Sequence, residues 1–296
     1  MSTTDRVYML SGAIGLGRLD ERSREHLRHA GVVAGSDLVS PAARLAQRLG
    51  IDEALFSLAA TRFLGEGGRP ADGWVAAADP VYLEPRLDHL CLMAQQVDDA
   101  EREALVDHLN ESLGGDGLSF VVEGAGIYLR AIPPIASSTY PTPLIDGLLP
   151  NKYLPEGDDA DDFRRLLAEI EMSLHEHPLN LARQARGLKP VNSLWLWGGG
   201  DDRRHERLSL PVLYSDDPLL RGAWLLCGGD SRDLSDTVPG GSCVLDIGDE
   251  LDTVSRLLER GRPLMLFSRD GFTVDAAGTG RWRFWARRHA ALEPPA

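Results

Sequence analysis

Cysteine is scarce. Cys91, Cys227 and Cys243 are the only three in 296 residues, odd in number, far apart and never in Cys-x-x-Cys form. That argues against a disulfide framework or a cysteine zinc site and predicts buried, reduced thiols. Long apolar runs are missing too: no window approaches the roughly 18 uninterrupted apolar residues of a membrane span. The opening MSTTDRVYML has too short an apolar run for a signal peptide. A cytoplasmic protein with no membrane partner is expected. Basic residues are few, 31 Lys and Arg against 45 Asp and Glu for a net charge of -14, which disfavours nucleic acid as a partner because phosphate polymers are repelled. The serine-nucleophile and phosphate-loop motifs Gly-x-Ser-x-Gly, Gly-x-x-x-x-Gly-Lys-Ser/Thr and Ser-x-x-Lys do not occur in convincing context. What is present is apolar bulk: 43% hydrophobic residues can bury the core of one large domain or two ordinary ones.

Along the chain, strand-like and helix-like patterns alternate. Residues 6–11 predict a first strand; the glycines after it, Gly12, Gly15 and Gly17, lack Gly-x-Gly-x-x-Gly spacing and read as a turn. Helical patterns cover 20–31, 41–64 and 98–113, and strands are predicted at 74–78, 118–122 and 127–131. Asp79-Pro80 is read as the turn that ends the strand before it. Further strands are expected at 210–214, 242–247 and 263–268, with helices at 218–227 and 250–260 between them, and 272–274 with 282–285 can add a terminal hairpin. The predicted class is α/β: a mixed or mostly parallel sheet flanked by helices, with room for a smaller α+β subdomain. Six prolines interrupt 132–157, so a proline-rich loop or lid over 133–158 divides an N-terminal region, 1–132, from a C-terminal one, 159–296. A single compact unit is the alternative.

The stretch from Phe163 to Gly200 organises the second half. Phe163, Leu166, Leu167, Ile170 and Leu174 form one helical stripe; Pro178 starts a second helix that Gly187 stops; residues 191–197 read as a strand covered on both faces, ended by Gly198, Gly199 and Gly200. Backbone N–H groups of glycines at a strand exit can converge on an anion, and Arg183, Arg186, Lys189, Arg203 and Arg204 lie nearby. A guanidinium suits phosphate or carboxylate. The same arginines can instead pair with Asp201, Asp202 and Glu206 on a solvated surface, at about 0–1 kcal/mol each. His175 and His177 point about 200° apart on a helix and lack a third ligand, so no metal is assigned to them. The tail RWRFWARRH, 281–289, reads as cation–π and salt-bridge packing.

The run HPLNLARQARGLKPVNSLWLWGGG resembles a signature of archaeal-type cofactor-independent phosphoglycerate mutases, of the alkaline phosphatase superfamily, through His177, Pro178, Asn180, Arg183, Gly187, Pro190, Asn192, Gly198 and Gly200. With ADPVYL and LPEGDDADDFRRLL, the chain also resembles RpfE-type bacterial regulatory proteins. These resemblances imply a phosphoglycerate-mutase-like fold and a pocket for a small phosphorylated acid lined by His177, Asn180, Arg183, Arg186, Asn192, Trp197, Gly198, Gly199 and Gly200. The sequence departs from the mutases where Ser11-Gly12 stands in place of an N-terminal Asp-Gly, where Trp197 stands before the glycines, and in lacking a late Asp-x-x-Gly-His motif. A binding or regulatory protein without metal-dependent catalysis and without a cofactor is therefore expected. The alternatives are an active mutase or phosphomonoesterase with ligands drawn from Asp79, His89, His177, Asp230 or Asp233, and a protein-interaction module using the proline-rich segment or the aromatic tail.

Overall fold

The computed structural model of the protein describes residues 6–11, 19–27, 30–34, 40–52, 56–69, 73–87, 89–115, 117–135, 139–154, 160–201, 207–234, 241–248, 250, 252–260 and 262–276. In chain order the elements are β1 (Val7–Ser11), α1 (Glu21–His26), β2 (Gly31–Ala34), α2 (Pro41–Leu49), α3 (Leu58–Gly65), β3 (Trp74–Pro85), β4 (Leu90–Ala94), α4 (Asp99–Leu113), β5 (Leu118–Glu123), β6 (Gly126–Ala131), α5 (Thr142–Ile145), α6 (Ala160–Leu174), α7 (Pro178–Ala185), β7 (Ser193–Gly200), β8 (Val212–Tyr214), α8 (Pro218–Leu226), β9 (Ser231–Arg232), β10 (Cys243–Asp246), α9 (Asp252–Glu259), β11 (Leu264–Ser268) and β12 (Phe272–Asp275). They fall into two compact units, Met1–Leu55 with His205–Ala296, and Phe56–Arg204.

The first unit carries a seven-stranded sheet in the order β2-β12-β11-β1-β10-β8-β9. Strands β11, β1, β10, β8 and β9 run parallel; β12 is antiparallel to β11 and β2. The central strands are apolar on successive residues because both faces are covered. Val7, Met9, Leu245, Leu264 and Leu266 bury with Val254 and Leu257 of α9 and with Leu27, in one cluster. Cys227 and Cys243 are buried free thiols here, as Cys91 is in the second unit.

The second unit is an antiparallel sheet, β4-β3-β6-β5, with β7 also paired to β3. One face is covered by Leu105, Val106 and Leu109 of α4 and by the predicted α6 stripe, Phe163, Leu166, Leu167, Ile170 and Leu174. Ala59 and Phe63 of α3 bury against the other face with Tyr128, Trp195 and Trp197. The expected class holds: one unit has a mostly parallel sheet flanked by helices, and the other is α+β.

Several local expectations are corrected. Strand β3 does not end at Asp79-Pro80 but runs on to Pro85. On one flank it pairs with β6 through Ala77 and with β4 from Val81. Pro80, which has no N–H to give, sits in the gap between those two partners. Strand β7 runs on through the triple glycine and ends at Gly200. Gly198 takes a positive φ of 64°, and the pairing with β3 shifts register between Val75 and Ala77, so the glycines carry a bulge within the strand. A Cβ on Gly199 would stand 2.1 Å from the Trp74 ring; only glycine lets that indole lie against the strand. The segment 133–158 lies within the second unit. Its described part is tied to the sheet: Trp195 Nε1 donates to Tyr140 O at 2.9 Å, Thr139 Oγ1 donates to Leu196 O, and Leu92 N donates to Leu148 O at 3.0 Å.

Candidate functional site

The motif residues singled out in the sequence do come together, in the second unit, but their polar atoms face one another and the backbone. His177 caps α7, with Nδ1 accepting Leu179 N at 3.2 Å. Its ring meets that of His108 edge-on at 4.4 Å, and burial, then the His108 charge, lowers its pKa from 6.5. Asn180 is buried and fully engaged: Nδ2 donates to Leu174 O (3.0 Å) and Val191 O (2.9 Å), and Oδ1 accepts Val191 N (2.8 Å). It ties the end of α6 to the approach of β7. Asn192 does the same for β3, accepting Leu83 N at 2.7 Å and donating to Leu83 O at 3.1 Å.

Arg183 is only 2% exposed. Its guanidinium donates to Lys189 O (2.8 Å), Gln96 O (3.1 Å) and Glu101 Oε2 (2.6 Å). The half-exposed Arg186 takes the other Glu101 oxygen at 2.6 Å. Glu101 was not singled out in the sequence, although it is the N3 glutamate of the Asp98–Glu101 capping box. Trp197 donates Nε1 to Asp79 Oδ2 at 2.7 Å. The other Asp79 oxygen accepts Arg62 at 3.0 Å, and Arg62 also bonds Glu66 at 3.1 Å while lying 5.7 Å from the Trp197 ring and 5.4 Å from Tyr128. Gly200 faces Ser57 as Gly199 faces Trp74. The side chains of Asn180, Arg183, Arg186, Asn192 and Trp197 thus hydrogen-bond within the second unit. Arg203 and Arg204, and the tail 281–289, lie outside the described residues.

The first unit offers a different arrangement. Open parallel sheets receive ligands at the carboxyl ends of strands, where the connections of two neighbouring strands diverge. Strand β8 leads through α8 outward to β9, whereas β10 leads through α9 past β1 to β11. The divergence falls between β8 and β10. There Ser215, fully buried, donates its hydroxyl to Asp246 Oδ2 at 2.8 Å and accepts Asp217 N at 3.0 Å. Gly248 N reaches the other Asp246 oxygen at 3.4 Å. Burial lifts the Asp246 carboxyl above the usual carboxylate range, the Ser215 and Gly248 hydrogen bonds oppose the lift, and the Asp217 and Asp216 charges add to it. Buried Ser11 and Ser268 end the next two strands. Of these only Ser11 was singled out in the sequence, as a departure from the mutases; for the others the available signal was a polar residue closing an apolar strand, as in Cys243–Asp246.

The described donors at these strand ends are engaged locally and do not form the charged set that a pair of metal ions needs. Asp217 accepts Leu219 N and Leu220 N as the cap of α8, and Asp216 accepts Leu234 N. Among the described residues no group of three or more His, Cys, Asp or Glu side chains is arranged to hold a metal ion. Of the alternative ligands, Asp79 is held by Arg62 and Trp197, and Asp233 pairs with Arg221 at 2.7 Å. Among the described residues no helix is long and apolar enough to cross a membrane.

No family model matches the chain. It is 34% identical over 113 residues to the 2,3-bisphosphoglycerate-independent phosphoglycerate mutase of Methanosarcina mazei, covering 36% of this chain and 28% of that one. Against the corresponding mutase of Methanosarcina acetivorans it is 29% identical over 168 residues, 53% of this chain and 41% of that one. In each, the match spans less than half of the relative's length. In structure it is similar to the cofactor-independent phosphoglycerate mutase of Thermoplasma acidophilum, with TM-score 0.51 and 16% identity over 92% of this chain and 89% of that one. A protein of Pyrococcus horikoshii superposes with TM-score 0.56 and 10% identity over 98% and 92%. The chain therefore has a phosphoglycerate mutase-like fold and partial sequence similarity to the cofactor-independent mutases.

Proposed function

We propose that this protein uses the mutase-like fold for binding: it takes a small phosphorylated acid at the strand ends of the first unit, in a regulatory capacity and without metal-dependent turnover. The observation that supports this is the donor set where β8 and β10 diverge. Ser215 and Asp246 meet there at 2.8 Å, and Ser11 and Ser268 end the next two strands with hydroxyls that bond Gly248 O and Phe272 O; turned from these partners, the hydroxyls can donate to a ligand's oxygens. Two-metal phosphoryl transfer needs instead a set of charged ligands that holds both ions.

Thermal-shift titration with 2- and 3-phosphoglycerate tests the reading. Binding to the native state raises Tm with ligand concentration by mass action, Ser215→Ala reduces the shift, and no substrate is consumed with manganese, zinc or magnesium added. Chelator-sensitive turnover overturns it, as does the absence of any shift. A second reading, an active phosphomonoesterase or mutase with divergent ligands, draws on the Ser215–Asp246 hydrogen bond of 2.8 Å, which has the form of a nucleophile beside its base. It requires turnover that Ser215→Ala abolishes.

A further inference from the structure

Among the described arginines of the second unit that are not exposed, all but one are paired, and that one lies in a cavity. Arg62 pairs with Glu66 and Asp79, Arg102 with Asp99, and Arg183 with Glu101. Arg130, on β6, is half-buried, and no described side chain or carbonyl takes a hydrogen bond or ion pair from its guanidinium. Directly across the ladder on β5 stands Ser119. Its hydroxyl likewise has no partner among the described residues. Both line one cavity of about 240 Å³, whose remaining wall includes Trp74, Leu118 and Ile132.

An unpaired guanidinium lining a cavity offers its donors to whatever enters, and an incoming oxyanion supplies the charge-assisted hydrogen bonds that no described carboxylate gives it. Its planar fork matches two oxygens at once, and the Ser119 hydroxyl, as cross-strand neighbour, adds a third donor on the same face of the sheet. The apolar wall suits the organic body of such a ligand. The volume lies below the roughly 300–1,000 Å³ of drug-sized pockets, which selects small molecules. The rim is fixed by backbone: Ile132 N donates to Gly117 O at 2.8 Å, and a Cβ on Gly117 would stand 1.9 Å from Ile132 O, so Gly117 can only be glycine.

We propose that this cavity binds a small organic oxyanion, a carboxylate or a phosphate monoester, with Arg130 as the bidentate anchor and Ser119 as the supporting donor. The site is separate from the strand ends of the first unit and stands whether or not those bind a ligand.

Calorimetric titration of the full chain with benzoate and with phenyl phosphate tests it. Saturable binding of either probe is expected, and the stronger of the two identifies the preferred oxyanion. Arg130→Gln weakens it at least tenfold, Arg130→Lys by less because it keeps the charge without the fork, and Ser119→Ala about two- to fivefold. Asp246→Asn leaves this binding unchanged, which separates it from the function proposed above. Binding of neither probe to the wild type, or wild-type binding by a folded Arg130→Gln protein, overturns the proposal. If Arg130→Gln does not fold, undiminished binding in both Arg130→Lys and Ser119→Ala overturns it equally.

Discussion

The Nδ1 atom of His177 can accept the Leu179 N–H only while it carries no proton, so the cap that starts α7 depends on the neutral ring. Burial and the nearby His108 hold the folded-state pKa below 6.5. The unfolded chain therefore takes up the proton more readily, and stability is lost as pH falls from about 6.5 towards the lowered folded value. Urea midpoints at pH 7.5 and 5.5 should show this loss for the wild type and a smaller one for His177→Asn, whose side chain caps without titrating in that range. A loss of the same size in both proteins would assign the pH dependence to another group. Asp246 carries the opposite sign. Its raised carboxyl favours the protonated folded state, so its contribution weakens as pH rises from the unfolded value near 3.8 through the raised one.

At the scale of elements, α4 and α7 are joined through Glu101, which is 7% exposed in its side chain and holds both Arg183, at 2%, and Arg186, at 49%. Glu101→Gln leaves the buried Arg183 charge without its counter-ion, a change that costs about 3–5 kcal/mol. Arg186→Ala removes a half-exposed partner and costs about 1 kcal/mol or less. Urea unfolding of the two variants should separate them by that margin; equal losses would mean that these ion pairs do not hold the helices. The helices themselves were legible in the sequence. The α6 stripe, the Pro178 start and the Gly187 stop are periodicity and backbone chemistry within one segment. The continuation of β3 through Asp79-Pro80 was not, because whether a proline fits a strand depends on which partner faces its missing N–H.

At the scale of the molecule there are two cores, one drawn from both ends of the chain and one from its middle. Strand β1 lies between β10 and β11, so the first unit's sheet needs residues from before and after the second unit. The second unit is continuous and buries its own clusters. A fragment of residues 56–204 should unfold cooperatively on heating, and 205–296 alone should not, having lost the strand at the centre of its sheet. Thermal circular dichroism of the two fragments checks both outcomes.

What the sequence determined by itself is what neighbouring residues settle: the α/β class, most elements, the absence of a cysteine framework, and the motif of His177 to Gly200 with its mutase resemblance. What only the tertiary structure decided is where that motif's polar atoms point. Asn180, Arg183 and Asn192 look like ligand-binding groups when their spacing alone is seen. Their partners, Val191 and Leu174, Glu101 and Gln96, and Leu83, are brought to them by the fold. The same holds in reverse for Ser215, Asp246, Ser119 and Arg130. Each is an ordinary polar residue in its own segment, and each gains chemical meaning from a neighbouring strand many residues away, because hydrogen bonding and desolvation depend on distance in space.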